Sequence, residues 1–194
     1  MVFPLLRTLS HDDIRSGLGE VIKLHLVAGA DAFTGLKDRL RNLPADPVEL
    51  ESVIEDTLII KKAYIERDEY DQNIRNLLNY GHTFGHAVER REKYRWRHGA
   101  AVSVGMMFVA ELAALGGRLP ESDVDRHRVV LGALGLPTTY AAGHWDALLA
   151  AMAVDKKARG SLLRFVVLQG IGNPVIWEGP DPALLAAAYA SISA

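Results

Sequence analysis

The sequence predicts a mainly α-helical domain with one small β-hairpin near its C-terminus. Three observations carry that expectation. Apolar residues recur at helical spacing, as in Ile14, Leu18, Val21, Ile22 and Leu26. Helix start and stop signals punctuate the pattern, among them Ser10, Gly29, Pro44, Pro47, Gly116-Gly117, Gly135 and Pro137. The strongest β signal, LLRFVVL (162–168), stands close to a second short one at Val175-Ile176-Trp177.

Taken in order, residues 1–10 are a short lead-in. Ser10 followed by Asp12 and Asp13 reads as an N-cap with an acidic first turn, opening a helix that runs to about Ala28 and stops at Gly29. Within it, Glu20 and Lys23 stand three residues apart. Such a pair is either a surface ion pair or a carboxylate metal ligand with a cation beside it. Asp31 to Leu43 reads as a short helix stopped near Pro44. From Pro47 a long helix reaches about Arg67, with Val48, Leu50, Ile54, Leu58 and Ile59 as core candidates and Lys61 and Lys62 on what is ordinarily a solvated face. Asp68 to Asp71 form a charged turn. Gly99 to Leu115 is the longest apolar run; it carries Ser103 and Glu111 and reads as a buried helix rather than a membrane span. Glu121 or Ser122 opens a helix to about Leu134, and His144 to Val154 is helical, followed by Asp155-Lys156-Lys157. A turn through Gly170 to Pro174 joins the two strands, and the Ala-rich stretch Pro182 to Ser191 closes the chain as a helix.

With 194 residues the chain is long enough to bury a real core. A formal charge of −2 leaves no electrostatic footprint for nucleic acid or an anionic membrane. Cysteine is absent, which excludes disulfides and thiolate metal sites and favours a cytoplasmic location. No strand is followed by a Gly-rich turn and a helix, so no dinucleotide or phosphate-cradling loop is found.

Chemistry concentrates between Arg75 and His98, in RNLLNYGHTFGHAVERREKYRWRH. On a helix His82 and His86 would share one face. Two imidazoles so placed can bind a first-row metal, and His98, at the start of the next helix, could return to the same ion. The alternative is a solvated or core hydrogen-bonded pair. The pattern is not that of the zinc proteases, because no Glu follows the first His. Gly81 and Gly85 each precede a histidine and are expected to clear space beside the rings.

These residues also carry a family resemblance. RSGLGEVIK (15–23), the DE pair at 68–69, RNLLNYGHTFGHAVE (75–89), RHGAAVSVGM (97–106), GLP (135–137) and DKK (155–157) with a following FVVL resemble the C-terminal domain of 3-dehydroquinate synthase. Order and spacing hold over nearly the whole chain, and GHTFGHAVE with EVIK upstream is specific to this family and its sugar-phosphate cyclase relatives. The resemblance implies a single helical metal- and substrate-binding domain over residues 1–194, with the small β-hairpin near its end. It implies that NAD is bound mainly by an N-terminal domain absent from this chain, and a homodimer for the full-length enzyme. It implies zinc or cobalt as the metal. The implied substrate is 3-deoxy-arabino-heptulosonate 7-phosphate, converted with phosphate elimination to 3-dehydroquinate in the shikimate route to aromatic amino acids. The alternatives are a paralogous cyclase acting on sedoheptulose 7-phosphate or glucose 6-phosphate, and a non-catalytic metal-binding fragment. Without the NAD-binding domain the chain alone is expected to be inactive.

By motif, Glu20, His82 and His98 resemble the family's metal ligands. His86 is then an active-site histidine near the leaving phosphate, and Lys23 a hydrogen-bond donor to substrate hydroxyls. Arg75 and Lys61 resemble the clamp on the substrate carboxylate. Asn79 resembles a phosphate contact, and Lys156 a further substrate lysine, with Lys157 as its rival. Two positions depart from the pattern: Ala100 stands where the family usually has Glu after HisGly, and Asp71, Gln72 and Asn73 replace a Glu-x-Gly turn.

Overall fold

The structure is a computed structural model that describes residues 3–40, 43, 46–68, 74–157 and 162–194; for residues 3–4 and 154–157 only the backbone is described. Among these residues the chain forms eight α-helices: α1 (His11–Ala28), α2 (Ala30–Arg39), α3 (Pro47–Arg67), α4 (His82–Arg91), α5 (His98–Leu115), α6 (Glu121–Ala133), α7 (Trp145–Lys157) and α8 (Pro182–Ser191). A short 3-10 turn, Arg75–Asn79, leads into α4. Strands β1 (Arg164–Leu168) and β2 (Pro174–Glu178) pair antiparallel, Arg164 opposite Glu178 and Leu168 opposite Pro174. Mainly α with a C-terminal hairpin is thus the observed fold class.

The ends of the helices follow their local chemistry. Ser10 caps α1, its hydroxyl accepting from the Asp13 N–H at 3.2 Å. Gly29, at φ 154°, ends it. Asp46 caps α3 by accepting from the Val48 and Glu49 N–H groups, with Pro47 in the first turn. Helix α2 ends at Arg39, earlier than the expected Leu43.

The core is built around α5, which is buried on nearly every side and packs against α1, α4, α6, α8 and β1. By length and composition His98–Leu115 could cross a membrane, yet 78 % of it is buried inside the fold. Its polar residues are satisfied within the protein: Ser103 donates to the Pro137 carbonyl at 2.7 Å, and Glu111 pairs with Arg128 at 2.7 Å. The α1 stripe behaves as expected, with Leu18, Val21, Ile22 and Leu26 buried. Helix α3 does not. Leu50 is buried, but Val48 is 77 % exposed, Ile59 66 % and Leu58 44 %. The buried face is instead Leu50, Val53 and Thr57, with Ile54 half-buried. Apolar residues surround α3 on several sides, so their spacing does not single out one face.

Two close helix crossings position the site. A Cβ on Gly19 would come within 2.9 Å of the Gly99 carbonyl, and one on Gly99 would run into the Ser16 carbonyl. Here α1 and α5 touch backbone to backbone, tied by the Gly99 N–H donating to Ser16 Oγ at 2.9 Å. At the second crossing Gly81 and Gly85 meet α5 around Val102 and Met106, and Gly105 meets the Gly81 carbonyl. These glycines therefore admit a neighbouring backbone rather than clearing room beside the histidine rings.

Candidate metal centre and substrate cleft

Each helix crossing carries a donor next to its glycine. Glu20 follows Gly19 on α1, His82 follows Gly81 at the start of α4, and His98 precedes Gly99 at the start of α5. The contacts that bring the backbones together thus bring a carboxylate and two imidazoles to one point. His98 Nε2 lies 3.4 Å and His82 Nε2 3.6 Å from Glu20 Oε1, and one ligand atom from each residue falls within 4.8 Å of the others.

The remaining ring nitrogens are already engaged. His82 Nδ1 lies 3.1 Å from the Tyr80 carbonyl, to which it can only donate, which leaves the Nε2 lone pair facing Glu20. His98 Nδ1 lies 3.0 Å from Glu89 Oε1. Lys23, buried, donates to the other Glu20 oxygen, Oε2, at 2.8 Å. Glu20 Oε1 is itself buried and has no hydrogen-bond partner among the described residues. A buried carboxylate oxygen that makes no hydrogen bond and faces two imidazole nitrogens at 3.4 and 3.6 Å is a place where a cation fits. A Glu/His/His donor set of this kind suits a divalent transition metal, with positions left open for other oxygens.

The electrostatics agree with an ionised carboxylate. Burial acts to raise the Glu20 pKa, but His98, Lys23 and His82 overcome it and hold the group at about 2. Burial, helped by the Lys23 charge, pushes His82 down to about 4, a neutral imidazole. The Glu20 carboxylate, and after it Glu89, pushes His98 up to about 9 against partial desolvation. Burial lowers the Lys23 pKa, and Glu20 opposes it.

Beside the donors lies a cleft of about 290 Å³, and Glu20, Lys23, Lys61, Arg75, Asn79 and His82 all line it. The 3-10 turn delivers Arg75 and Asn79; its first N–H, that of Arg75, donates to Asp68 Oδ2 at 3.1 Å. Three cations thus face one polar cleft. A slightly larger cavity, about 320 Å³, lies between α1, α2 and α3. Of its polar groups, His25 bonds the Ala32 carbonyl and Thr57, and Arg39 pairs with Glu49 and Asp56. Among the described residues the metal-ligating clusters lie elsewhere, Glu20, His82 and His98 beside the cationic cleft, so that cleft is the candidate site.

His86 is exposed and does not line the cleft, but its ring centroid lies 5.3 Å from that of His82 and 6.1 Å from that of His98. Lys156 and Lys157 fall in the last turn of α7, and their side chains lie outside the described residues, as do Asp71, Gln72 and Asn73. Sequence reasoning passed over Glu89 and Tyr80. Glu89 had a signal: it stands seven residues after His82 and three after His86, hence on their side of a helix.

The fold is that of the sugar-phosphate cyclases. It superposes with TM-score 0.83 on ValA, a 2-epi-5-epi-valiolone synthase of Streptomyces hygroscopicus subsp. jinggangensis 5008 solved with NAD+ and Zn2+ bound. That match has 25 % identity and covers 98 % of this chain and 54 % of that one. A 2-deoxy-scyllo-inosose synthase complexed with carbaglucose-6-phosphate, NAD+ and Co2+ superposes with TM-score 0.78 at 23 % identity, covering 94 % and 53 %. Residues 17–158 match the family described as 3-dehydroquinate synthase C-terminal, and the chain belongs to that family. Similar relatives are the 3-dehydroquinate synthases of Leifsonia xyli subsp. xyli, 46 % identical over 97 % of this chain and 53 % of the relative, and of Nocardia farcinica, 47 % identical over 97 % and 51 %. The chain spans about half the length of the curated relatives it matches.

Proposed function

We propose that this chain is the metal- and substrate-binding part of a 3-dehydroquinate synthase, acting on 3-deoxy-arabino-heptulosonate 7-phosphate, with the nicotinamide held outside residues 1–194. The observation that carries this reading is the cleft itself: a Glu/His/His cluster opens onto a space lined by Lys23, Lys61, Arg75 and Asn79. Bound zinc or cobalt would act as a Lewis acid on a substrate hydroxyl, while NAD would take up and return a hydride.

The chain's own residues do the rest. Glu20, His82 and His98 hold the metal. Lys23 keeps Glu20 ionised through Oε2, leaving Oε1 for the ion, and turns its remaining N–H donors to substrate hydroxyls. Arg75, with its planar fork, and Lys61 fix the substrate carboxylate. The Asn79 amide contacts the phosphate. His86, close to both ligand histidines yet outside the donor set, moves a proton at the leaving phosphate. By the family resemblance, Lys156 or Lys157 is a further substrate contact.

A second reading is a paralogous cyclase acting on a sugar phosphate without a carboxylate, since the fold is shared with the valiolone synthase ValA. Binding of three ligands to the metal-loaded chain separates the two. The heptulosonate phosphate should bind at least about tenfold tighter than sedoheptulose 7-phosphate or glucose 6-phosphate. Arg75→Ala should erase that preference, a charge-assisted hydrogen bond being worth about 1.5–3 kcal/mol. Equal binding of all three, or a preference that survives Arg75→Ala, sinks the first reading. With NAD added, no sustained phosphate release is expected from residues 1–194 alone; sustained NAD-dependent turnover would reject the placement of the nicotinamide outside them.

A further inference from the structure

We propose that Glu89 is the positioning residue of the metal centre, accepting the Nδ1–H of His98 so that Nε2 is turned to the ion. The inference rests on the metal site proposed above and adds a residue outside its ligand set.

The argument begins with the two ligand rings. An imidazole can present Nε2 to a metal in the right tautomer only if Nδ1 carries the proton, and the partner of Nδ1 decides that. His82 has a backbone carbonyl for this purpose, that of Tyr80. His98 has none: as the first residue of α5 it projects from a helix end, and its side chain is 44 % exposed. Its Nδ1 partner is the Glu89 carboxylate at 3.0 Å, whose own side chain is only 13 % exposed. His98 is therefore held between two carboxylates, Glu89 at Nδ1 and Glu20 at Nε2.

The same residue also shapes the route by which the chain reaches His98. Helix α4 is left through Lys93 and Tyr94, both left-handed at φ 53° and 57°. The Tyr94 N–H closes this turn by donating to the Glu89 carbonyl at 2.8 Å. The backbone of Glu89 thus anchors the return of the chain, and its side chain orients the ligand at the end of that return. Glu89, His86 and His98 also have ligand atoms within 4.8 Å of one another, so direct metal ligation by Glu89 is the rival to exclude.

The test is Co2+ titration of the 194-residue chain, following stoichiometry, dissociation constant and the visible absorption of the bound ion. Wild type should bind one equivalent. Glu89→Ala should weaken binding about 10–100-fold, the usual loss on removing such an outer partner. Glu89→Gln keeps an amide oxygen that accepts the same N–H, and should recover most of that loss with an unchanged cobalt spectrum. If Glu89→Ala does not fold, Glu89→Asp withdraws the acceptor by one methylene and should show the same loss. Unchanged affinity in the variants overturns the proposal. So does an equal loss in Ala and Gln, or a second equivalent of ion in wild type that disappears with Glu89. If wild type binds no cobalt, the metal site itself fails and this inference with it, whereas wild-type binding with indifferent Glu89 variants rejects Glu89 alone.

Discussion

Tyr80 joins the metal cluster to the buried core. Its carbonyl accepts from His82, and its hydroxyl lies 2.9 Å from His127 Nε2. His127 Nδ1 sits 2.6 Å from the Asp123 carbonyl and must donate there, so Nε2 accepts and Tyr80 donates. Burial pushes the Tyr80 phenol far up, which keeps it a donor, and pushes His127 down to about 4. The unfolded chain takes up the His127 proton near pH 6.5, whereas the folded chain resists until about pH 4. Between those values the unfolded state binds more protons, so stability is full above the window and falls as pH drops through it, by roughly 3 kcal/mol at its lower end. Urea unfolding of wild type and His127→Gln at pH 7 and pH 4.5 reads this directly. Wild type should lose more stability than the variant on acidification; equal losses would show that His127 is not the group responsible. None of this network was legible in the sequence. His127 matches no motif, and its partners are remote in the chain. Glu20, Lys23, Lys61, Arg75, Asn79 and His82 were legible as cleft residues through the resemblance, because the motif spacing stands in for geometry that periodicity cannot supply.

At the scale of elements, the glycines at the crossings set how near the ligands come. Gly99→Ala drives a methyl into the Ser16 carbonyl, and the backbone of α1 cannot yield as a side-chain end could. Overpacking of this kind costs typically about 1–3 kcal/mol, and here it also parts Glu20 from His98. Gly132 on α6 is the internal control: a Cβ there meets nothing within 4 Å. Gly132→Ala should raise stability by about 0.5–1 kcal/mol through helix propensity alone. Thermal unfolding and cobalt binding of the two variants should move in opposite directions, Gly99→Ala down in both and Gly132→Ala up in stability with unchanged binding. A tolerated Gly99→Ala would mean that the crossing is looser than its geometry states. The sequence marked Gly81 and Gly85 but misjudged their use, because a Gly beside a His looks the same whether it spares a ring or a backbone. It located most helix ends within a residue or two, since signals such as Ser10 and Pro47 are local. It misread the inward face of α3, since Val48, Leu58 and Ile59 are as apolar as the residues that are buried. Which of two apolar faces turns inward is decided by α1 and not by α3 itself.

Across the whole molecule the proposed ligands come from three helices far apart in sequence: Glu20 on α1, His82 on α4 and His98 on α5. An unfolded chain cannot gather them, so a metal bound at all three binds the native state almost alone. Its binding free energy then adds to folding stability as RT ln(1 + [metal]/Kd), about 2.7 kcal/mol at a hundredfold excess over Kd. For a domain of this size each kcal/mol raises Tm by roughly 2–4 °C. Removal of metal with a chelator should therefore lower Tm by several degrees, and re-addition of zinc or cobalt should restore it with a dependence on metal concentration. His98→Ala should lose both the shift and its concentration dependence, whereas His144→Ala, whose ring meets Arg91 on the far side of α4 from the cleft lining, should retain both. A Tm indifferent to chelation, or a shift that survives in His98→Ala, would mean that the ion does not bridge α1, α4 and α5.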